Sequence, residues 1–231
     1  MKDFIAFDIW SNHASFRRGY TTTSPHTYHI PPKTSLTGLL AAFLGIKREN
    51  ISDHFNGLKV SVQLLSKVET LKVNHNLLNT EILPPRNRTQ IAMEYLRDPK
   101  YRIFITMDKS EQLEDLEELI KNHKSIFTPY LGVAYCIANF SYVGRFSGEE
   151  EHVKGERVIS VVTKNDCKIS WEEEKSYHIE KVPAEIDDQR SLRKAVELIY
   201  EESGNPIKVE EGVVTKLQDP QGTHYGSICT F

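Results

Sequence analysis

The residues best suited to binding chemistry lie between positions 9 and 48, a stretch that contains no Asp or Glu. Its positive charges are Arg17, Arg18, Lys33, Lys47 and Arg48. Hydroxyl side chains accompany these charges in the runs YTTTSP (20–25) and PPKTSLTGLL (31–40). A surface with cations and hydroxyls and without competing carboxylates suits the backbone of a polyanion. We therefore interpret this stretch as a candidate phosphate-binding surface.

Two segments of this surface supply the candidate binding residues: a loop and the start of a predicted helix. They are Arg17, Arg18, Tyr20, Thr21, Thr22, Thr23, Lys33 and Thr34. Thr34 or Ser35 is expected to cap the helix, whose free N–H groups would then help to bind phosphate. A surface loop followed by an ordinary helix cap is the alternative interpretation.

A second basic segment, residues 86–90, carries two guanidinium groups and three short polar side chains. On a projecting element, Arg86 and Arg88 would grip phosphates while their polar neighbours contact base edges. A solvated charged loop is the alternative interpretation of this segment.

The charge of the chain is unevenly distributed along its length. Residues 1–109 hold 15 Lys and Arg against 9 Asp and Glu, whereas residues 110–231 hold 14 against 23. The net charge of −3 therefore hides a basic first half and an acidic second half. We expect the basic half to face a polyanionic partner.

Three histidines near the candidate surface raise the question of catalysis. His13, His26 and His29, with Tyr20 and Tyr28, are of the types that serve as acid and base in metal-independent ribonucleases. Histidines in a polar loop also act as hydrogen-bonding or stacking groups, so both roles stay open. The sequence contains no metal-ligand motif and no cofactor fingerprint, which argues against a metal site, a cofactor and a small-molecule enzyme.

The cysteines and the apolar runs bear on where the protein works. Cys136, Cys167 and Cys229 are odd in number and far apart, which is typical of idle thiols in a reducing cytosol. No apolar run approaches the roughly 20 residues that span a bilayer. The acidic side chains near the N-terminus argue against a signal peptide. We therefore expect a cytoplasmic protein without a membrane partner.

The hydrophobic pattern predicts an α+β fold with a ferredoxin-like (RRM-like) βαββαβ domain over residues 1–146. Both helices of such a domain cover one face of an antiparallel sheet, and the other face is expected to be free for a ligand. Residues 74–99 are expected to form a projecting, thumb-like hairpin. The predicted strands are 4–10, 58–64, 101–107 and 134–140, and the predicted helices are 36–44 and 110–124.

Residues 147–231 are predicted to form a β-rich C-terminal subdomain. Its pattern indicates four strands and one helix, with an exposed turn or linker at the acidic run 149–151. The predicted strands are 158–163, 177–182, 207–217 and 225–231, and the predicted helix is 190–203.

Residues 4–46, which include YTTTSP and PPKTSLTGLL, resemble the N-terminus of the fifth CRISPR-associated (Cas) protein family. The resemblance is to the form found in type I-B systems, within the RAMP superfamily of ferredoxin-like proteins. Similarity continues, in the family's order, in RNRTQIAMEYLRDPKYRIFITM (86–107) and FTPYLGVAYCIANFSYVG (127–144). These segments cover a little over a third of the chain.

The resemblance implies an RNA-binding, non-catalytic backbone subunit of the ribonucleoprotein complex that uses CRISPR guide RNA in antiviral defence. Members bind the 5′ handle of that RNA, contact other subunits, and displace bases of the guide–target duplex with a hairpin thumb. Contact with target DNA would therefore be indirect. Because some type I-C members cleave their RNA, a metal-independent endoribonuclease that matures precursor guide RNA is the alternative function.

Overall fold

The computed structural model describes residues 1–21, 24–78, 88–187, 189 and 191–231. The strands are β1 (Lys2–Trp10), β2 (His13–Ala14), β3 (Phe16–Arg17), β4 (Thr27–Tyr28), β5 (Lys59–Leu64), β6 (Thr70–Leu78), β7 (Arg88–Arg97), β8 (Lys100–Thr106), β9 (Asn139–Val158), β10 (Val162–Thr163), β11 (Cys167–Ile169), β12 (Tyr177–Ile186), β13 (Leu192–Glu201), β14 (Ile207–Gln218) and β15 (His224–Ile228). The helices are α1 (Lys33–Leu44), α2 (Ile51–His54) and α3 (Ser110–Lys121), with a 3-10 turn at Arg48–Asn50. The predicted α+β class is confirmed.

Seven strands form the main sheet, in the order β11-β14-β15-β9-β1-β8-β5. Strand β1 pairs antiparallel with both β8 and β9, and β8 pairs antiparallel with β5. On one face of β1, Ile5 and Phe7 join the main core, where the ring of Phe7 meets Phe43 of α1 edge-on at 5.9 Å. The two long helices thus cover this face of the sheet.

The opposite face of the sheet is not free for a ligand, contrary to the expectation from sequence. Phe4 of β1 and Phe104 of β8 pack there against Leu217 of β14 and Ile228 of β15, all of them buried. The sheet curls so that its C-terminal strands cover its N-terminal ones. Apolar residues on both faces of β1 explain its nearly uninterrupted hydrophobic sequence. The candidate site must therefore be sought elsewhere.

Helix α1 begins earlier than the sequence predicts. Pro32 stands before its first residue with φ −59°, and its carbonyl accepts hydrogen bonds from the N–H groups of Ser35 and Leu36 at 2.9 and 3.0 Å. Thr34 and Ser35 therefore lie within the first turn, and no side chain caps it. Gly45 ends the helix at φ 70°, as predicted, in a conformation that glycine adopts without strain. In the part of the chain that the structure describes, no helix is long and apolar enough to cross a membrane.

Strands β6 and β7 form an antiparallel hairpin from the pair Thr70–Leu96 to the pair Leu78–Arg88. It begins four residues before the excursion predicted at 74–99. Most side chains of β6 are exposed. The base of the hairpin is attached to the body, because β7 pairs with β2. Residues 79–87 lie outside the described residues, and the thumb role of the hairpin stays a prediction.

The helix predicted at 190–203 is wrong, because this segment forms strand β13. Its residues pair antiparallel with β12, with Val182 opposite Val196. Leu198 and Tyr200 enter the main core, whereas Ile199 on the other face enters a second core beneath β14. A strand buried on both faces loses the alternation that marks most strands, and its apolar residues then mimic a helical stripe.

Strand β9 runs without a break through the acidic residues that the sequence analysis assigned to a turn. Its exposed carboxylates meet cations of other strands: Glu150 lies 2.6 Å from Lys59 of β5, and Glu151 lies 2.7 Å from Lys216 of β14. The predicted strand at 134–140 begins only at Asn139. The proposed domain boundary at 146/147 falls within β9, and the division into two domains stays a prediction.

Candidate nucleic-acid interface

Strands β3 and β4 form a short ribbon that carries the predicted binding loop, and we refer to residues 17–28 as the basic loop. Phe16 pairs with Tyr28, and Arg17 pairs with Thr27. The Thr21 hydroxyl donates to the Arg18 carbonyl at 2.8 Å and accepts the His26 N–H at 3.2 Å. Thr21 thus fixes the turn, while Thr22 and Thr23 lie outside the described residues.

Among the described side chains of the basic loop, that of Arg18 makes the most hydrogen bonds. Its guanidinium donates to the Thr27 carbonyl at 3.0 Å, to the Tyr20 hydroxyl at 3.2 Å and to Glu180 Oε1 at 2.6 Å. It also lies over the ring of Tyr28, 5.2 Å from the centroid. By contrast, Arg17 is exposed, and among the described residues its guanidinium donates only to the Thr21 carbonyl, at 3.3 Å.

Glu180 of β12 connects the basic loop to the C-terminal half. Its Oε2 atom accepts the N–H groups of His29 and Ile30 at 2.9 and 3.1 Å, while Oε1 is paired with Arg18. Burial raises the pKa of Glu180, against the opposing effect of these donors. The acidic half therefore neutralises part of the basic surface, and the two halves are less separate electrostatically than their compositions suggest.

A cleft of about 530 Å³ opens between the basic loop and the β12–β13 pair. Arg18, Tyr20 and His29 line it from the loop side, and His178, Lys181 and Tyr200 line it from the strands. The His178 ring stacks on Tyr200 with centroids 5.3 Å apart and an interplanar angle of 18°. The cleft thus combines aromatic rings with cationic groups, a combination that suits nucleotides.

The three histidines singled out from sequence go to different places. His29 Nδ1 lies 2.5 Å from the Tyr200 hydroxyl, and burial, followed by the charge of Arg18, lowers the pKa of His29. His26 Nδ1 lies 3.2 Å from Glu94 Oε2 on the hairpin, and the His13 ring meets Tyr95 edge-on. The structure therefore brings only His29 of these three into the cleft.

Lys33 and Thr34 lie at the start of α1 and do not line the cleft. Lys33 is half-buried rather than exposed, and burial lowers its pKa while Glu185 of β12 acts in the opposite direction. Both residues lie on α1, which packs against β12. The structure therefore does not unite the two predicted phosphate-binding segments in one pocket.

The basic segment of the hairpin is only partly described. Arg88 begins β7 with its side chain exposed, and Arg86 lies outside the described residues. Farther along β7, Glu94 joins the hairpin to the basic loop: its Oε2 accepts the Thr27 N–H at 3.1 Å, and its own N–H donates to the Pro25 carbonyl at 3.0 Å. Loop and hairpin base therefore form one connected surface.

Sequence reasoning missed His178, Glu180 and Tyr200. Alternation along β12 places His178 and Glu180 on the same face, and the strand pairing sets His178 directly opposite Tyr200. Recognition of 190–203 as a strand would have revealed the pair. The helix predicted there hid this signal.

Comparison with known proteins identifies the family of this chain. The family model described as CRISPR-associated protein (Cas_Cas5) matches residues 4–205. No curated protein matches the sequence significantly. A crystal structure of a CRISPR protein from Archaeoglobus fulgidus has a TM-score of 0.60 at 16% identity, covering 98% of this chain and 100% of that chain.

A chain in a structure described as a CRISPR RNA-guided surveillance complex is similar with a TM-score of 0.54 at 15% identity, covering 88% of this chain and 91% of that chain. At such identities the structural likeness shows the fold alone. The family model, in contrast, spans most of the sequence. This protein therefore belongs to the Cas5 family of CRISPR-associated proteins.

Proposed function

We propose that this Cas5 protein is a non-catalytic, guide-RNA-binding subunit of a type I-B CRISPR surveillance complex, and that the basic loop binds the 5′ handle of the RNA. The observation that carries the proposal is the loop itself, which presents Arg17 and Tyr20 to solvent on a turn fixed by Thr21 and Arg18. Fixed donors hold a flexible single strand at a smaller entropic cost than mobile ones do.

The fold supports this proposal. The strand order β9-β1-β8-β5 is antiparallel, and α1 and α3 cover one face, which is the arrangement expected of a ferredoxin-like domain. The C-terminal strands cover the face of the sheet opposite the helices. RNA contact at the basic loop is therefore favoured over contact across the sheet.

We further propose that the protein works in the cytoplasm with other subunits of the complex and meets target DNA only indirectly. The similar chain from an RNA-guided surveillance complex supports an assembled state. The exposed Arg88, at the described end of β7, is proposed to contact nucleic acid there, and Arg86, which lies outside the described residues, is assigned the same role from sequence.

The proposal is tested by fluorescence anisotropy with a labelled RNA that carries the repeat-derived 5′ handle of the host. Arg17→Ala is expected to weaken binding and to reduce the slope of log affinity against log salt by about 0.7, the value for one lost phosphate contact with a single strand. Lys124→Ala, which removes an exposed charge beyond α3, is the matched control and should change neither quantity. Equal effects of both variants would contradict the proposal.

One observation favours the endoribonuclease as a second candidate. His29 has a lowered pKa and lies within hydrogen-bond distance of Tyr200 at the cleft, so a neutral imidazole is available as a base at pH 7. Incubation of purified protein with repeat RNA and a chelator should leave the RNA intact if the subunit is non-catalytic. Site-specific cutting that disappears in His29→Ala would establish the second candidate instead.

A further inference from the structure

The cleft beside the basic loop contains an aromatic surface with one covered and one open side. Tyr200, 2% exposed, lies against one face of the His178 ring. The His178 side chain is nevertheless 46% exposed, so its other face is open to the cleft. Tyr20, which is 70% exposed, lines the same cleft from the loop. Two accessible aromatic side chains therefore border one space.

The charges around this space favour an anion. Arg18 and the exposed Lys181 both line the cleft. Glu180 also lines the cleft, but its carboxylate is paired with Arg18 and accepts two backbone N–H groups, so this ion pair carries no net charge. Glu202 lies at the edge of the His178 ring, with Oε2 3.6 Å from Nε2, and the exposed Lys181 is therefore the main attraction for an anion. The volume of about 530 Å³ lies within the usual range of small-ligand pockets, roughly 300–1,000 Å³.

We infer that the cleft binds one unstacked nucleotide of single-stranded RNA, with its base on the open face of His178 and its phosphate near Arg18 and Lys181. Every base has a face that stacks on an aromatic ring, whereas the cations suit only the phosphate. This inference rests on the proposed function and extends it, because it assigns part of the RNA contact to the acidic C-terminal half of the chain.

The test uses handle RNA in which 2-aminopurine replaces one base at a time. In the wild-type protein, fluorescence should be quenched strongly at one position, and His178→Ala should relieve the quenching there. Loss of one stacked base should weaken binding about 5- to 150-fold. His178→Phe, which retains a stacking ring, should restore most of the affinity.

Two comparisons separate stacking from charge and from misfolding. His178→Ala should leave the salt slope unchanged, whereas Lys181→Ala should reduce it by about 0.7. His152→Ala, at an exposed histidine of β9, is the matched control and should bind as the wild type does. The thermal unfolding of each variant is measured as well, and a melting temperature equal to that of the wild type shows that the variant is folded.

Wild-type affinity and unchanged fluorescence in His178→Ala would overturn the nucleotide cleft while leaving the proposed function intact. Failure of the wild-type protein to bind handle RNA at all would overturn both.

Discussion

The basic loop and the β6–β7 hairpin both carry arginines predicted to contact RNA, but they are held in different ways. In the loop, Arg18 is paired with the buried carboxylate of Glu180 and fixed by two further acceptors. Among the described residues, the hairpin is attached to the body at its base, through Glu94 and through Tyr95, whose hydroxyl lies 2.6 Å from that of Tyr135. Beyond the base, Val73, Leu77 and Leu78 are exposed.

Two arginine-bearing segments can therefore serve different tasks. A loop fixed by a buried ion pair presents one arrangement of donors, which suits a ligand of constant structure such as a repeat-derived handle. A hairpin whose described strands expose apolar side chains beyond the base suits contact with changing partners. The loop should therefore depend strongly on single residues of the body, and the hairpin should not.

The largest effect is expected for Glu180→Ala. Removal of one partner from a buried ion pair leaves Arg18 and two backbone N–H groups unsatisfied, which should cost about 3 kcal/mol of unfolding free energy. Urea unfolding measures this loss. Glu197→Ala, which removes a solvent-exposed partner of Lys164, is the control and should leave the midpoint unchanged. Equal midpoints for the two variants would show that the loop is not fixed by Glu180.

Glu94→Ala should have the next largest effect, because it removes the carboxylate that links the loop to the hairpin base, while the backbone hydrogen bond from Glu94 to Pro25 remains. The buried Thr27 N–H loses its acceptor, which should cost about 1–3 kcal/mol. Hydrogen exchange should quicken at Thr27, and Glu94→Gln should retain much of the protection because its side-chain oxygen still accepts. Unchanged exchange in Glu94→Ala would contradict the proposed connection.

Acid should lower the unfolding free energy of the protein through protonation of His29. Because the folded state lowers the pKa of His29, the unfolded chain takes up the proton first as the pH falls. Stability should therefore decrease from about pH 6.5, the ordinary histidine pKa, down to the lowered folded value. The difference in unfolding free energy between the wild type and His29→Gln should change across this window. A constant difference from pH 7 to pH 5 would be inconsistent with this account.

The smallest effect on stability is expected for Arg88→Ala at the described end of the hairpin. An exposed side chain there should change the unfolding free energy by no more than about 0.5 kcal/mol. The salt slope of guide-RNA binding should nevertheless decrease by about 0.7, because Arg88 is proposed to contact one phosphate. A melting temperature that falls as far as that of Glu94→Ala would remove the contrast between the two regions.

Local patterns predicted the N-terminal half well. Strand β1, the buried face of α1 and its end at Gly45 follow from apolar spacing and from the conformational freedom of glycine. The C-terminal half was harder, because β13 is buried on both faces and its pattern is ambiguous between helix and strand. The site was only half predicted: the loop arginines were visible in sequence, but Glu180 and His178 act through strand pairing, which has no local signature.

The most direct test of handle binding by the basic loop is photo-crosslinking of the protein to handle RNA that contains 4-thiouridine, with the crosslinked peptides identified by mass spectrometry. If the basic loop and the cleft bind the handle, crosslinks are expected within residues 17–28 and at His178 or its neighbours on β12. Crosslinks confined to the acidic strands β9 and β14, with none in the basic loop, would contradict it.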